Sequence, residues 1–567
     1  MRCYSVIQVH EPTSQFRETF YGEHERNIET LFRELLRESG VDENENKQLI
    51  QHLNIIEEKL KSNQSSKFWW QTLRITLVLI SLTCAYLTYT YQVWVWLTGV
   101  LAPLPIIFFI LNGIIKESQT LIDDLEHDRD SHIRRARQQM APLNALYDWH
   151  QALALVSQTL PVIAFDSVLT SERLSYLRTF FGWDDSWNTD KSIKCVHSAL
   201  LYGNPVLLTQ YIQHWIGFKP YQGSLRIDWT EQVRNSKGNW ETQTRSETLN
   251  ATVTKPFPEY ADRTEVLHFH DAARNLVFSR QPSGMPKNET GWLGKVVLWW
   301  KKNQLRKEAT NTKRNFTPMA NQDFDAIFAA LDRNHDLEFR LLFTVLAQQE
   351  ILKVLRDSEH GFGDDFKYTK RNMVTFIEPE HMNQVDFSCN PAIFHSYDLG
   401  AARRFFRHYH AAFFKSLYFG IAPLLSIPEY HLPTEHRTVD DSDTSASFWE
   451  MESVSNHRGD SPFQHPQCVT RNLIKTSQMA QADGSQSVSV TAYGYMGTPR
   501  VDYVTVRGGD QNYHDVPVHW TEYNEVTQTS SMRVMDASFA EASTLTMQGS
   551  SPAKTVQFKS LLSVILG

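Results

Sequence analysis

Between Arg74 and Lys116 the sequence contains no charged residue, a gap of 41 positions, and that absence constrains the molecule more than any motif it carries. A helix crosses the hydrocarbon core of a bilayer with about 20 apolar residues, so the gap accommodates two crossings joined by a very short turn. Other absences narrow the chemistry. The five cysteines, Cys3, Cys84, Cys195, Cys389 and Cys468, include no C-x-x-C pair, which argues against a zinc site or a disulfide framework. Scattered thiols suit a reducing compartment. The opening residues MRCYSVIQVHEPTSQF lack the apolar core of a cleaved secretory signal, which leaves membrane targeting to the uncharged segment. The glycine clusters GFGDD, AYGYMG and RGGD lack the spacing and the lysine of a phosphate-binding loop, and no G-x-S-x-G elbow occurs. With 56 basic and 64 acidic residues the formal charge is −8, which does not point to nucleic acid. No cofactor is expected.

What is present fits a membrane hairpin. The polar aromatic run Thr88 to Gln92 offers the turn, with one helix over about 70–89 and a second over about 93–115. Trp69, Trp70, Trp94 and Trp96 fall near the interfaces, where indole is most stable, and Pro103 and Pro105 predict a kink in the second helix. Lys59, Lys61, Lys67 and Arg74 precede the first span; Lys116, Arg129, Arg134, Arg135 and Arg137 follow the second. The turn carries no positive charge, so the positive-inside rule predicts a two-span protein with both termini cytoplasmic.

Periodicity organises the rest into an α+β chain: an N-terminal helical segment (1–66), the transmembrane hairpin (67–117), a juxtamembrane helix (118–160), an α+β domain (161–430) and a linker with a β-rich C-terminal module (431–567). Residues 24–64 read as two helices. The second carries Leu49, Ile50, Leu53, Ile56 and Leu60 at three- and four-residue steps, continues into the membrane and pairs with 117–159 as a stalk. Alternation on both sides of SKGN predicts a long β-hairpin, with VLHFHD and NLVFSR as two further strands. Helical patterns follow at 291–314, 321–332, 338–356 and 399–421, and a loose linker is expected over 434–465.

Three places carry candidate chemistry. The segment 292–314 sets Trp292, Trp299 and Trp300 against Lys295, Lys301, Lys302 and Arg306, the composition of a helix on an anionic bilayer surface; a packed helix with a basic outer face is the plainer reading. A second basic helix bears Arg403, Arg404 and Arg407, with Phe405, Phe406, Tyr409, Phe413 and Leu417 as its core face. His268, His270 and Asp271 place two imidazoles on one strand face, within reach of a metal but without further identifiable ligands; a polar sheet face is the alternative. LDRNHDLEFRLLF imitates a calcium loop at Asp332, Asn334 and Asp336. It fails at Leu337 and Phe343, where glycine and glutamate belong, and so reads as a turn between helices. These features predict a membrane-anchored binding or scaffold protein whose partners are the bilayer, anionic headgroups and a protein or second copy. An oligomeric pore and a membrane-bound hydrolase are the competing readings; the lack of ionisable residues in the spans weighs against the pore.

Overall fold

Gly40 closes one helix in the left-handed region, at φ +66°, and two residues later Asp42 opens the next by accepting hydrogen bonds from the amides of Asn44 and Glu45. The computed structural model describes residues 9–91, 110–234, 239–283, 296, 299, 302–303, 319–434, 445–480, 485–536 and 555–566. The chain is mixed α+β and divides into two units.

The helical unit comprises Arg26–Asp148 and Pro391–His410. Its long helix, Glu43–Tyr91, buries Leu49, Leu53, Ile56 and Leu60 along one stripe, as the spacing predicts, and runs on without a break into the uncharged segment. It pairs antiparallel with helix Asn112–Ala145. Asn46 Nδ2 donates to Gln139 Oε1 at 3.1 Å, Lys67 to Gln119, and Arg74 Nη1 to Asn112 Oδ1 at 3.3 Å. Each step along one helix is matched by an equal step back along the other, so the register is held over the whole stalk. Beyond Arg74 the side chains change character: Ile75, Leu79, Leu82, Tyr86 and Tyr89 are all exposed. Among the described residues this is the one helix long and apolar enough to cross a membrane. Of the expected second span, 93–115, residues 93–109 lie outside the described residues.

The β-rich unit comprises Met1–Glu25, Trp149–Asn390 and Ala411–Gly567. Its first antiparallel sheet holds β1 (Ile163–Phe165), β2 (Lys191–Leu201), β3 (Asn204–Arg234), β4 (Trp240–Phe269), β5 (Val277–Arg280), β6 (Phe366–Arg371) and β7 (Val374–Pro379) in the order β1-β2-β3-β4-β7-β6-β5. The second holds β8 (Leu473–Ala480), β9 (Gln486–Arg507), β10 (Tyr513–Asp536), β11 (Thr555–Phe558) and β12 (Leu561–Leu566) in the order β11-β12-β10-β9-β8. The expected long hairpin is β3–β4, paired without interruption from Val206↔His268 to Arg234↔Trp240. VLHFHD is the inner end of β4 rather than a separate strand, because burial on both faces removes the alternation that marks the outer part.

Residues 448–458 differ from the expected loose linker. Helix Phe448–Arg458 is buried from Trp449 through Ser455 and lies between the sheets. Trp449 packs with Leu207, Leu267 and Phe269 of the first, and Met451 and Val454 pack with Ile474, Val488 and Val490 of the second. Its acids have internal partners. Glu450 pairs with Lys559 at 3.0 Å. Glu452 takes the amide of Ile193 at 2.6 Å, beside the bulge at which β2 skips Lys194 in its register with β3.

The two long ribbons also meet at their outer ends, where Ile227, Leu249 and Ala251 pack on Val516 and Val518. A Cβ on Gly223 would stand 2.1 Å from the carbonyl oxygen of Pro517, so only glycine permits this approach. The calcium-like segment has a structural task at the opposite edge. Asp332, Asn334 and Glu338 accept hydrogen bonds from the amides of Ser279, Val277 and Asn275, the outward-facing donors along edge strand β5. An acidic turn thereby covers an open sheet edge.

Candidate functional site

The residues singled out for membrane-surface binding fall in two places. Of the basic aromatic segment, Trp299 is 64% exposed and Lys302 pairs with Asp323, while Trp292, Lys295, Trp300, Lys301 and Arg306 lie outside the described residues. On helix Leu399–Leu425, Phe406, Tyr409, Phe413 and Leu417 form the expected buried face, but Phe405 is exposed. Arg403 is paired with Glu29, an acid from another helix of the helical unit, and Arg404 and Arg407 face outward.

His268 and His270 are buried in the β-rich unit, their ring centroids 5.7 Å apart. They do not converge on a common point. His270 Nε2 bonds the carbonyl of Leu432 and its Nδ1 accepts from Ala272, while Asp271 turns to Arg274 at 2.8 Å. Among the described residues no group of three or more His, Cys, Asp or Glu is placed to hold a metal. The strand register instead lines up His268, Thr375 and Lys370 across β4, β7 and β6, beneath the Tyr430 ring. Tyr430 Oη lies 3.2 Å from Thr375 Oγ1 and 3.4 Å from Tyr368 Oη. Both His268 nitrogens and Lys370 Nζ have no hydrogen-bond partner among the described residues. Burial lowers Lys370 to about 7 and His268 well below the usual histidine value. These side chains form a buried polar row.

Cys195 Sγ lies 3.2 Å from His197 Nε2, an arrangement with a nucleophile's geometry. Burial pushes the thiol up to about 12 and the imidazole down to about 3, so both groups stay neutral and the thiol is inert.

A cleft with a ligand's dimensions, one of several of that size among the described residues, lies where the ribbons diverge from the core. Its volume is about 450 Å³, and its walls come from both sheets. Cross-strand partners His214 and Tyr260 supply one wall. The other is a face of the β9–β10 ribbon, where the register sets Tyr495 opposite Glu525 and Tyr493 opposite Thr527; Leu473 of β8 continues it. The His214 ring centroid is 5.0 Å from Tyr260 and 5.4 Å from Tyr495, with the planes inclined by 44° and 30°. Tyr495 Oη donates to Glu525 Oε1 at 3.1 Å and Tyr260 Oη to Thr470 Oγ1 at 3.2 Å. Burial, with Glu525 adding to it, pushes the Tyr495 phenol up to about 12. His214 Nε2 is enclosed without a partner among the described residues, and burial lowers its pKa, which favours the neutral ring. Lys475 also lines the cleft, yet its ammonium donates to the carbonyls of Asn188 and Lys191 and lies 3.4 Å from Glu452, a fully buried carboxylate.

No protein-family model, curated protein or solved structure matches this chain. The cleft therefore stands on its own geometry. Sequence reasoning passed over it, although two signals were present: Tyr493-Gly494-Tyr495 puts two rings on one strand face, and folding the ribbon about SKGN pairs His214 with Tyr260. Their convergence across two sheets has no local signal.

Proposed function

We propose that this is a membrane-anchored binding protein, held by a two-helix hairpin and carrying its ligand cleft in the β-rich unit. The observation that carries the anchor is the outer end of helix Glu43–Tyr91, where large apolar side chains stand exposed with no charged residue beyond Arg74. Water penalises such a surface at roughly 25 cal/mol per Å² of apolar area, a cost that a bilayer removes. The held register of the stalk supports the second span: chain that leaves at Arg74 returns beside it at Asn112, and two crossings of about 20 residues fit the interval. Basic residues on both flanks favour cytoplasmic termini. The cleft supports binding rather than catalysis, since its size lies within the roughly 300–1,000 Å³ of small-molecule pockets and its walls are mainly aromatic and aliphatic.

Alkaline carbonate extraction and protease protection test the anchor. The full chain should stay in the membrane pellet, and tags at both ends should be digested from the cytoplasmic face of sealed vesicles. Release as a soluble species would remove the anchor, and protection of both tags would reverse the orientation.

A further inference from the structure

We propose that the cleft between the β3–β4 and β9–β10 ribbons recognises a methylated ammonium group, the cation of choline-like compounds, either free or as a lipid headgroup. The inference rests on the cleft being a ligand site and adds its chemistry. Four rings from both sheets, those of His214, Tyr260, Tyr493 and Tyr495, bound the space, and those whose mutual angles are known are inclined rather than parallel. Aromatic faces carry negative potential and attract a cation held within about 6 Å of their centroids. Charge acts the same way. Glu525 is the only carboxylate among the described lining residues, and the only lining ammonium, that of Lys475, is turned into the core by two carbonyls and Glu452. An anion would meet Glu525 unfavourably.

Methylation follows from the hydrogen bonds. A primary ammonium brings three donors and needs as many acceptors when it leaves water. The acceptors on the walls are few and mostly engaged: Glu525 with the Tyr495 phenol and the Tyr260 phenol with Thr470, while apart from Thr189, Thr527 and Lys475 the remaining side chains are rings or aliphatic groups. A trimethylammonium group has no donors to satisfy and presents only methyl groups, so a lining rich in rings and aliphatic side chains suits it better. The enclosed Nε2 of His214 is left for a hydroxyl or ester further along the same ligand.

Calorimetric titration of the full chain in a maltoside detergent, with choline and with its neutral isostere 3,3-dimethylbutan-1-ol, separates cation recognition from apolar filling. Choline should bind at least tenfold more tightly than the isostere. Tyr493→Leu, at a ring that is 46% exposed, should weaken choline at least tenfold with the unfolding midpoint little changed, and Glu525→Gln several-fold. Equal affinity for the two compounds, or no choline binding, would overturn the proposal. Under either of those results, a neutral compound whose binding Y493L abolishes would preserve the ligand site and refute only its cation preference. A cleft that binds no compound sensitive to Y493L would remove both. The source is read from vesicles: choline binding suppressed in phosphatidylcholine relative to phosphatidylglycerol assigns the headgroup, and equal binding in both assigns the free cation.

Discussion

Two fully buried lysines respond to removal in opposite directions, and Lys370 is the sharper case. Its side chain is completely enclosed, Nζ has no hydrogen-bond partner among the described residues, and Tyr430 offers a ring face 5.8 Å away. Burial is the main cause lowering its pKa from 10.5 to about 7; Glu338 and Asp271 counter it only in part. At about 1.4 kcal/mol per pH unit, that difference amounts to roughly 5 kcal/mol of unfavourable proton linkage. The sign is fixed by the folded state binding fewer protons than the unfolded state between pH 7 and 10.5. Stability therefore rises with pH across that window, and below pH 7 the full penalty applies. Lys370→Met removes the titrating group and fills the same volume, so it should stabilise the protein at pH 7.5 by about 1–4 kcal/mol, the range seen when buried charges are replaced by apolar side chains. The assay is the unfolding midpoint by tryptophan fluorescence, for wild type and variant in detergent, from pH 7 to 10. The gap between the two should be widest near pH 7 and narrow steadily towards pH 10. Midpoints that run parallel across the range would show that Lys370 is charged and paired in the native protein, and would sink the reasoning.

Lys559 is the converse case, since Lys559→Met leaves Glu450 buried without its cation; unfolding should come about 3–5 kcal/mol earlier, with much of the loss recovered in the double variant with Glu450→Gln. Gly223→Ala should drive the ribbons apart at Pro517 at a cost of about 1–3 kcal/mol, read as faster amide exchange over 221–229 and 504–518 and not in the core strands. Asn334→Ala should expose the Val277 amide on edge strand β5 and speed its exchange, at a cost of about 1 kcal/mol. Calcium should leave the unfolding midpoint of the wild type unchanged.

How far the sequence was legible depended on the range of the interaction that decided each element. The stalk helix was readable because Leu49, Leu53, Ile56 and Leu60 repeat on one face, and the β3–β4 ribbon because alternation brackets a turn sequence. Helix Phe448–Arg458 was not, because Glu450 and Glu452 look like linker acids until Lys559 of the β11–β12 turn and Lys475 of β8 arrive from later in the chain. Arg403 of the basic helix is a similar case, since Glu29, far away in sequence, meets it through the fold. His268 and His270 lie with ring centroids 5.7 Å apart, yet His270 stands just past the end of β4 and its nitrogens are claimed by Leu432 and Ala272, which alternation cannot reveal. The cleft is hardest of all, since its walls belong to two sheets.

Core and cleft are linked through one core residue, which makes their coupling testable. Glu452 holds the amide of Ile193 beside the bulge, accepts from Asn188 and draws the Lys475 ammonium inward, so the contacts that seat the central helix also keep a positive charge out of the cleft. Glu452→Gln preserves shape and still offers an oxygen to Ile193, but removes the negative charge that attracts Lys475. The ammonium then keeps only its two carbonyl acceptors and regains solvation by swinging towards the opening, because a buried ammonium without a counter-charge is costly. Choline affinity should fall at least fivefold in this variant although no residue facing the ligand has changed, and Lys475→Met added to it should restore binding. An affinity unchanged by Glu452→Gln, with the fold intact by unfolding midpoint, would mean that the cleft's preference owes nothing to where Lys475 points, leaving Glu525 and the rings to account for it alone.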